Sequence, residues 1–178
     1  MYIHMILLAY QLEAQFRMSA LSMRIIHAEK HRKEEDPMRY FIVASHGPLS
    51  TAILESASLI AGKETFRNFR AIYVTMQDSP ENIRQTVDNC MVDFPEEAEI
   101  IALTDVFGGS VTNILTEYIQ SRNLHIVTGM NLGMVIDAGF SGVETSTEEL
   151  IEALIHTGQR GIRCVNSEID NNELEDEI

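Results

Sequence analysis

The sequence predicts an α/β domain with a doubly wound, mostly parallel sheet, and two features of the chain lead to this prediction. Short apolar runs, typical of strands buried on both faces, alternate with longer segments of helical character. Each helical segment is long enough for the right-handed crossover that joins two parallel strands. The predicted strands are residues 40–44, 69–75, 98–104 and 124–128, and residues 161–165 are a candidate for a last strand.

Helices are predicted between these strands from caps and apolar periodicity. The first, residues 49–61, has an apolar face and ends at Gly62. Ser79 followed by Pro80 is typical of an N-cap and starts a helix that runs to about Val92. The expected apolar face of the first helix comprises Leu49, Ile53, Leu54, Ala57 and Ile60, and further helices are predicted at residues 111–119, in a turn or two ending at 138, and at 147–157.

The two ends of the chain differ from the part between them. Residues 1–37 contain no glycine and balance five Lys or Arg against five Asp or Glu, and their propensities predict a helix over residues 12–28. Because the first strand begins directly after Met38, we expect Met38 to be the natural start and residues 1–37 to be an extension outside the functional domain, residues 38–165. Residues 166–178 carry six acidic and no basic residues and are expected to form a disordered tail.

Composition and charge narrow the classes of function. The 178 residues, 45% of them hydrophobic, suit one globular domain with a buried core. The formal net charge of −14 disfavours nucleic acid and anionic membrane surfaces as partners and favours a partner with a basic face. No apolar run is long enough to insert into a membrane, and two cysteines without a disulfide pattern indicate a reducing, cytoplasmic location.

Two strand ends carry the residues that could perform chemistry. His46 follows the first strand on a Ser-His-Gly-Pro turn, and Asp105 follows the third strand, just before Gly108, Gly109 and Ser110. In a doubly wound sheet of order 2-1-3-4, strands one and three are neighbours at the switch point, so His46 and Asp105 are expected to lie side by side.

These residue types together predict a phosphoryl-transfer site. A carboxylate bonded to one imidazole nitrogen fixes the tautomer and leaves the other nitrogen as a nucleophile. The glycines and Ser110 open the third helix, where backbone N–H groups can bind a phosphate. Each residue has an ordinary alternative: His46 as a turn residue, Asp105 as a turn cap, the glycines as a tight connection and Ser110 as an N-cap. The other histidines lack metal-ligand spacing, so neither a metal ion nor another cofactor is predicted.

Four motifs resemble one protein family over roughly residues 38–165. They are Ile-Val-Ala-Ser-His-Gly at 42–47, Asp-Val-Phe-Gly-Gly-Ser at 105–110 with Asn113, Thr-Gly-Met-Asn-Leu at 128–132, and Thr-Gly-Gln-Arg-Gly-Ile at 157–162. In this order they resemble the enzyme IIA component of the mannose/fructose/sorbose family of the bacterial sugar phosphotransferase system.

The resemblance implies a function, partners and a dimer. His46 would accept a phosphoryl group from phospho-HPr and pass it to the IIB component of a sugar permease, here expected as a separate polypeptide. Asp105 would hydrogen-bond the histidine, and Gly108, Gly109 and Ser110 would form the phosphate-binding loop. The last strand, an antiparallel one near residues 162–165, would be exchanged across a homodimer.

Other functions remain open at this point. The phosphotransfer subunit of a dihydroxyacetone kinase resembles the same family and uses the same histidine, with a different acceptor. A receiver-type signalling domain would need an acidic cluster where Ser45 and His46 stand. A flavodoxin-like binding domain would need a hydroxyl-rich loop after the first strand, for which Ser50 and Thr51 are limited support.

Overall fold

The computed structural model describes residues 39–142 and 144–166. The predicted helix at residues 12–28, the proposed start at Met38 and the expected disorder beyond residue 166 lie outside these residues and stay predictions.

The order of strands and helices follows the predicted alternation. Single turn residues and caps set the boundaries: Gly62 follows the first helix with a φ of 85°, and the Ser79 hydroxyl accepts the N–H of Asn82 at the start of the second. The elements are β1 (Tyr40–His46), α1 (Leu49–Ala61), a 3₁₀ turn (Lys63–Phe66), β2 (Phe69–Val74), α2 (Pro80–Met91), β3 (Ile100–Thr104), α3 (Ser110–Thr116), β4 (Leu124–Thr128), α4 (Leu132–Phe140) and α5 (Thr147–Arg160).

The four strands form one parallel sheet in the order β2-β1-β3-β4, which confirms the predicted topology. In the register between β1 and β3, Ala44 lies opposite Thr104. The residues that follow these two positions therefore leave the sheet at the same edge and next to each other. This register brings His46 close to Asp105.

The core consists of two apolar layers, one on each face of the sheet. Because side chains alternate along a strand, Ile42 and Ala44 of β1 face one layer and Phe41 and Val43 face the other. The first layer is completed by α2 and α3, and the second by α1, α4 and α5. Helices on both faces explain why the strands are apolar throughout and not alternating.

The predicted apolar face of α1 is only partly correct. Ile53 and Ala57 are buried, but Leu49 is 46% exposed and Ile60 is 64% exposed. The side of α1 that meets the sheet is a narrow one centred on Ser50, Ile53 and Ala57. Its small residues allow close approach to the sheet; Leu54 is partly buried against the same layer, whereas Leu49 and Ile60 stay largely exposed.

The candidate last strand does not form within the single chain. Residue 161 is in a turn, residues 162–164 have no regular structure and residues 165–166 are helical. The side chains of Ile162 and Val165 are 80% and 67% exposed. A strand needs a hydrogen-bonded neighbour, which for an exchanged strand would belong to a second subunit, so the exchange stays a prediction.

None of the helices in residues 39–142 and 144–166 combines the length and the apolar character needed to cross a bilayer.

Candidate functional site

The ends of β1 and β3 place the two sequence-predicted residues in direct contact. His46 is the last residue of β1, and Asp105 follows the last residue of β3. The Asp105 N–H donates to the carbonyl of Ala44 at 3.3 Å, which continues the pairing of the two strands beyond the sheet. His46 and Asp105 therefore lie side by side, as the strand order predicts.

Three hydrogen bonds hold His46 against Asp105. The backbone N–H of His46 donates to Oδ2 of Asp105 at 2.7 Å, and the ring Nδ1 lies 3.0 Å from Oδ2 and 3.2 Å from Oδ1. Because a carboxylate only accepts hydrogen bonds, the neutral imidazole carries its one proton on Nδ1, facing Asp105, and keeps the lone pair on Nε2. The imidazole is thus fixed in the tautomer that exposes Nε2 as a nucleophile.

Asp105 is held in its ionised form. Partial burial acts to raise the pKa of this carboxyl group, but hydrogen bonds from the backbone N–H and ring of His46 and from the N–H of Val106 outweigh it. The net result is a pKa below the ordinary value for aspartate. The carboxylate side chain is 11% exposed, whereas the imidazole beside it is 46% exposed and accessible to another protein.

Ser110 lies at the other nitrogen of the same ring. Its hydroxyl oxygen is 3.2 Å from Nε2 of His46, at the first position of α3. The first N–H groups of a helix have no partner inside the helix, so a group attached to Nε2 would meet backbone donors as well as the hydroxyl. Gly109, which caps α3, and Gly108, at a φ of 74°, form the loop that brings Ser110 there.

Gly109 lies directly against the imidazole. A Cβ atom at this position would be 2.6 Å from Cε1 of His46 and 3.2 Å from the carbonyl oxygen of Val106. No side chain fits there without moving the ring or the loop. Packing against His46 therefore requires glycine here.

For the phosphoryl transfer that the sequence predicts at His46, Gly109→Ala is expected to reduce the rate about a hundredfold, because a misplacement of about 1 Å at a reacting group costs on that order. The rate of phosphorylation of the purified variant measures this loss. Gly142→Ala is a matched control, since a Cβ atom there would come no closer than 3.9 Å to a neighbour, the backbone N of Glu144. A Gly109→Ala rate equal to that of the control would contradict the close packing.

Ser45 supports the turn that carries His46, and the sequence did not reveal this role. Its side chain is fully buried, and its hydroxyl donates to the carbonyl of Gly47 at 2.9 Å and accepts the N–H of Ser50 at 2.7 Å. Gly47 has a φ of 58° and its N–H donates to the carbonyl of Val74. Ser50 is buried at the start of α1, so its hydroxyl cannot line an open cofactor-binding loop of the flavodoxin kind.

The motifs at residues 128–132 and 157–162 contact each other. The side-chain amide of Asn131 donates to the carbonyl of Gly158 at 2.9 Å, and its oxygen accepts the N–H of Met134. A Cβ atom on Gly158 would lie 2.7 Å from Cε of Met134. These contacts join α4 to α5.

Within residues 39–142 and 144–166, no cluster of three or more His, Cys, Asp or Glu side chains is placed to hold a metal ion. The arrangement instead provides a nucleophilic nitrogen, a fixed carboxylate and a hydroxyl.

Comparison with known proteins decides between the possible classes. A family model described as the fructose IIA component of the PTS, the phosphotransferase system, matches residues 40–155, well over half of the chain. The chain belongs to this family. It is a IIA-type component of the sugar phosphotransferase system, and the resemblance seen in the four motifs is confirmed.

Individual relatives agree with this assignment. The chain is 22% identical over 130 residues to the PTS system fructose-specific EIIA component of Bacillus subtilis (strain 168), covering 72% of this chain and 88% of the relative. The crystal structure of phosphotransferase system component EIIA from Streptococcus agalactiae matches with a TM-score of 0.64 at 25% identity, covering 73% of this chain and 99% of that one.

The mannose/sorbose specific IIA subunit from Enterococcus faecalis matches with a TM-score of 0.65 at 24% identity, covering 71% of this chain and 93% of that one, and supports the fold. All three relatives are named as components of the phosphotransferase system. The comparisons therefore do not favour the dihydroxyacetone kinase alternative.

Proposed function

We propose that this IIA protein accepts a phosphoryl group from phospho-HPr on Nε2 of His46 and transfers it to a IIB component for sugar uptake. One observation carries the proposal: the ring is held by Asp105 through Nδ1, while the His46 side chain is 46% exposed and its Nε2 lies beside the Ser110 hydroxyl. A nucleophile, an orienting carboxylate and a phosphate-binding group are what a phosphohistidine intermediate needs.

The transfer proceeds as an exchange of one P–N bond for another. The Nε2 lone pair of His46 attacks phosphorus, and the P–N bond to the donor histidine breaks with its electron pair returning to the donor ring. The proton on Nδ1 stays in place, and the Asp105 carboxylate balances the positive charge that the ring gains. The Ser110 hydroxyl and the loop N–H groups stabilise the phosphoryl oxygens, since such reactions depend mainly on positioning and charge.

Reconstitution tests the proposal. The protein is incubated with labelled phosphoenolpyruvate, enzyme I and HPr, and IIB is then added. We expect label to enter the protein, in a linkage that is acid-labile and stable in base, and to leave it when IIB is present. Absence of label in the protein would contradict the proposed function.

Exposed apolar side chains around His46 form the proposed docking surface for phospho-HPr. They follow three neighbouring strands: Leu49 lies after β1, Met76 after β2, and Val106 and Phe107 after β3. Met76 is 99% exposed and Phe107 is 86% exposed. Large apolar groups in such positions are typical of an interface centre that a partner covers.

Phe107→Ala is expected to raise the KM for phospho-HPr about tenfold and to leave phosphorylation by the small donor phosphoramidate unchanged. An aromatic side chain buried at an interface centre contributes at least about 1.4 kcal/mol, which is tenfold in affinity. Leu59→Ala is the matched control, because Leu59 is 88% exposed near the other end of α1. Equal KM values for the two variants would exclude Phe107 from the interface.

A homodimer held by residues 161–165 is a further part of the proposal. β4 is an edge strand in the sheet of residues 39–142 and 144–166, and Ile162 and Val165 are exposed apolar side chains close after α5. An edge strand and an apolar segment of a second subunit can pair. Ile162→Asp is therefore expected to shift the protein from dimer to monomer in light scattering after size exclusion. An unchanged dimer would contradict the exchange.

A further inference from the structure

Asn113 holds the loop between β3 and α3 in place through two hydrogen bonds. The side-chain nitrogen Nδ2 of Asn113 donates to the carbonyl of Gly108 at 2.9 Å, and the backbone N–H of Asn113 donates to the carbonyl of Gly109 at 2.9 Å. A carbonyl oxygen only accepts, so the amide nitrogen and not its oxygen faces Gly108.

The two bonds fix the peptide units of the glycine loop. The N–H of Gly109 donates to the carbonyl of Val106 at 3.1 Å, so the peptide between Gly108 and Gly109 is held at both ends. In the next peptide the carbonyl of Gly109 faces Asn113, and because a trans peptide is planar, the N–H of Ser110 must point the opposite way. Gly108, at a φ of 74°, has the conformational freedom that makes such a restraint necessary.

This loop contains both groups that touch the exposed side of the imidazole. Gly109 packs against Cε1 of His46, and the Ser110 hydroxyl lies 3.2 Å from Nε2. A small displacement of the loop would change both contacts. The side chain of Asn113 is exposed, and its hydrogen bond goes to the carbonyl of Gly108 and not to His46.

We infer that Asn113 is a positioning residue for phosphoryl transfer, an inference that rests on the proposed function of His46. Its amide holds Gly108 so that Gly109 orders the ring and Ser110 stays at Nε2, ready to bind the incoming phosphoryl group. The effect runs through the loop and not through direct contact with the reacting atoms.

Four variants test this inference in the full chain. Asn113→Ala removes the donor, and Asn113→Asp keeps the shape but presents an acceptor to the Gly108 carbonyl. Asn89→Ala and Asn89→Asp are matched controls, because Asn89 is also an exposed helical asparagine, with a side-chain bond to Gln85 on α2. Circular dichroism shows whether each variant is folded.

The expected result is a fall of about tenfold in kcat for phosphorylation by phospho-HPr in Asn113→Ala, as for partners that orient a reacting group. Asn113→Asp loses at least as much, because two acceptors repel each other. Both Asn89 variants keep the wild-type kcat. A kcat for Asn113→Ala within twofold of wild type, or a wild-type kcat for Asn113→Asp, would overturn the inference.

A second measurement is independent of activity. The ring ¹⁵N chemical shifts of His46 and the amide shift of Ser110 are expected to move in Asn113→Ala and to stay unchanged in Asn89→Ala. Unmoved shifts would refute the positioning role even if the variant is slow. If the wild-type protein takes up no phosphoryl group, the proposed function fails, and these shifts still decide whether Asn113 orders the loop.

Discussion

His46→Ala is expected to lose all measurable phosphoryl acceptance from phospho-HPr. Among residues 39–142 and 144–166, His46 is the only base that hydrogen-bonds the Ser110 hydroxyl, and Asp105 is held on the ring, so neither residue can replace the imidazole. Burial raises the pKa of the Cys90 thiol to about 11, so it cannot substitute. Transfer of label from phosphoenolpyruvate through enzyme I and HPr measures the loss.

A matched histidine variant serves as the control for this experiment. His156 lies on α5 and is exposed, and His156→Ala is expected to accept phosphate at the wild-type rate. Label in His46→Ala at more than a trace, or an equal loss in both variants, would contradict the assignment of His46.

Asp105→Asn is expected to slow phosphoryl transfer by about one hundred to one thousandfold. Asparagine can present its amide nitrogen to Nδ1, and this favours the tautomer with the proton on Nε2. The substitution also removes the negative charge that balances the ring in the transition state. The corresponding change in a Ser-His-Asp hydrolase costs about ten-thousandfold, and transfer between two imidazoles is an easier reaction. Single-turnover rates with phospho-HPr measure the effect, and a rate within twofold of wild type would reduce Asp105 to a turn residue.

The pKa of Asp105 also sets a pH dependence. Because its pKa in the folded protein is lower than the ordinary value, ionisation of Asp105 stabilises the fold above the pKa of the unfolded chain, and this contribution is lost as the pH falls through the folded pKa. Near neutral pH the carboxylate is charged in both states and the contribution is complete. A midpoint of unfolding that falls less on acidification in Asp105→Asn than in wild type would support this.

The four-stranded fold could be predicted from the sequence because helix caps and the apolar pattern of the strands are local signals. The Ser79 cap and the glycine after α1 define helix boundaries, and the fully apolar strands require helices on both faces. The contact between His46 and Asp105 could also be anticipated, because it follows from the strand order alone.

The remaining features depend on the exact conformation of loops and on packing between elements, which residue types alone do not specify. Ser45 and Asn113 act through hydrogen bonds to loop carbonyls, and the same residue types occur elsewhere as ordinary surface or strand residues. The exposure of Leu49 and Ile60 depends on how closely α1 approaches the sheet. A last strand at residues 161–165 depends on a partner strand, which one chain does not supply.

The central claim is that Nε2 of His46 carries the phosphoryl group while Nδ1 stays bound to Asp105. Two-dimensional ¹H–¹⁵N correlation of the imidazole ring in the phosphorylated wild-type protein tests it most directly, because the two ring nitrogens have separate signals. The structure predicts a phosphorus-coupled signal at Nε2 of His46 and a proton on Nδ1. Phosphate on Nδ1, or on any residue other than His46, would contradict it.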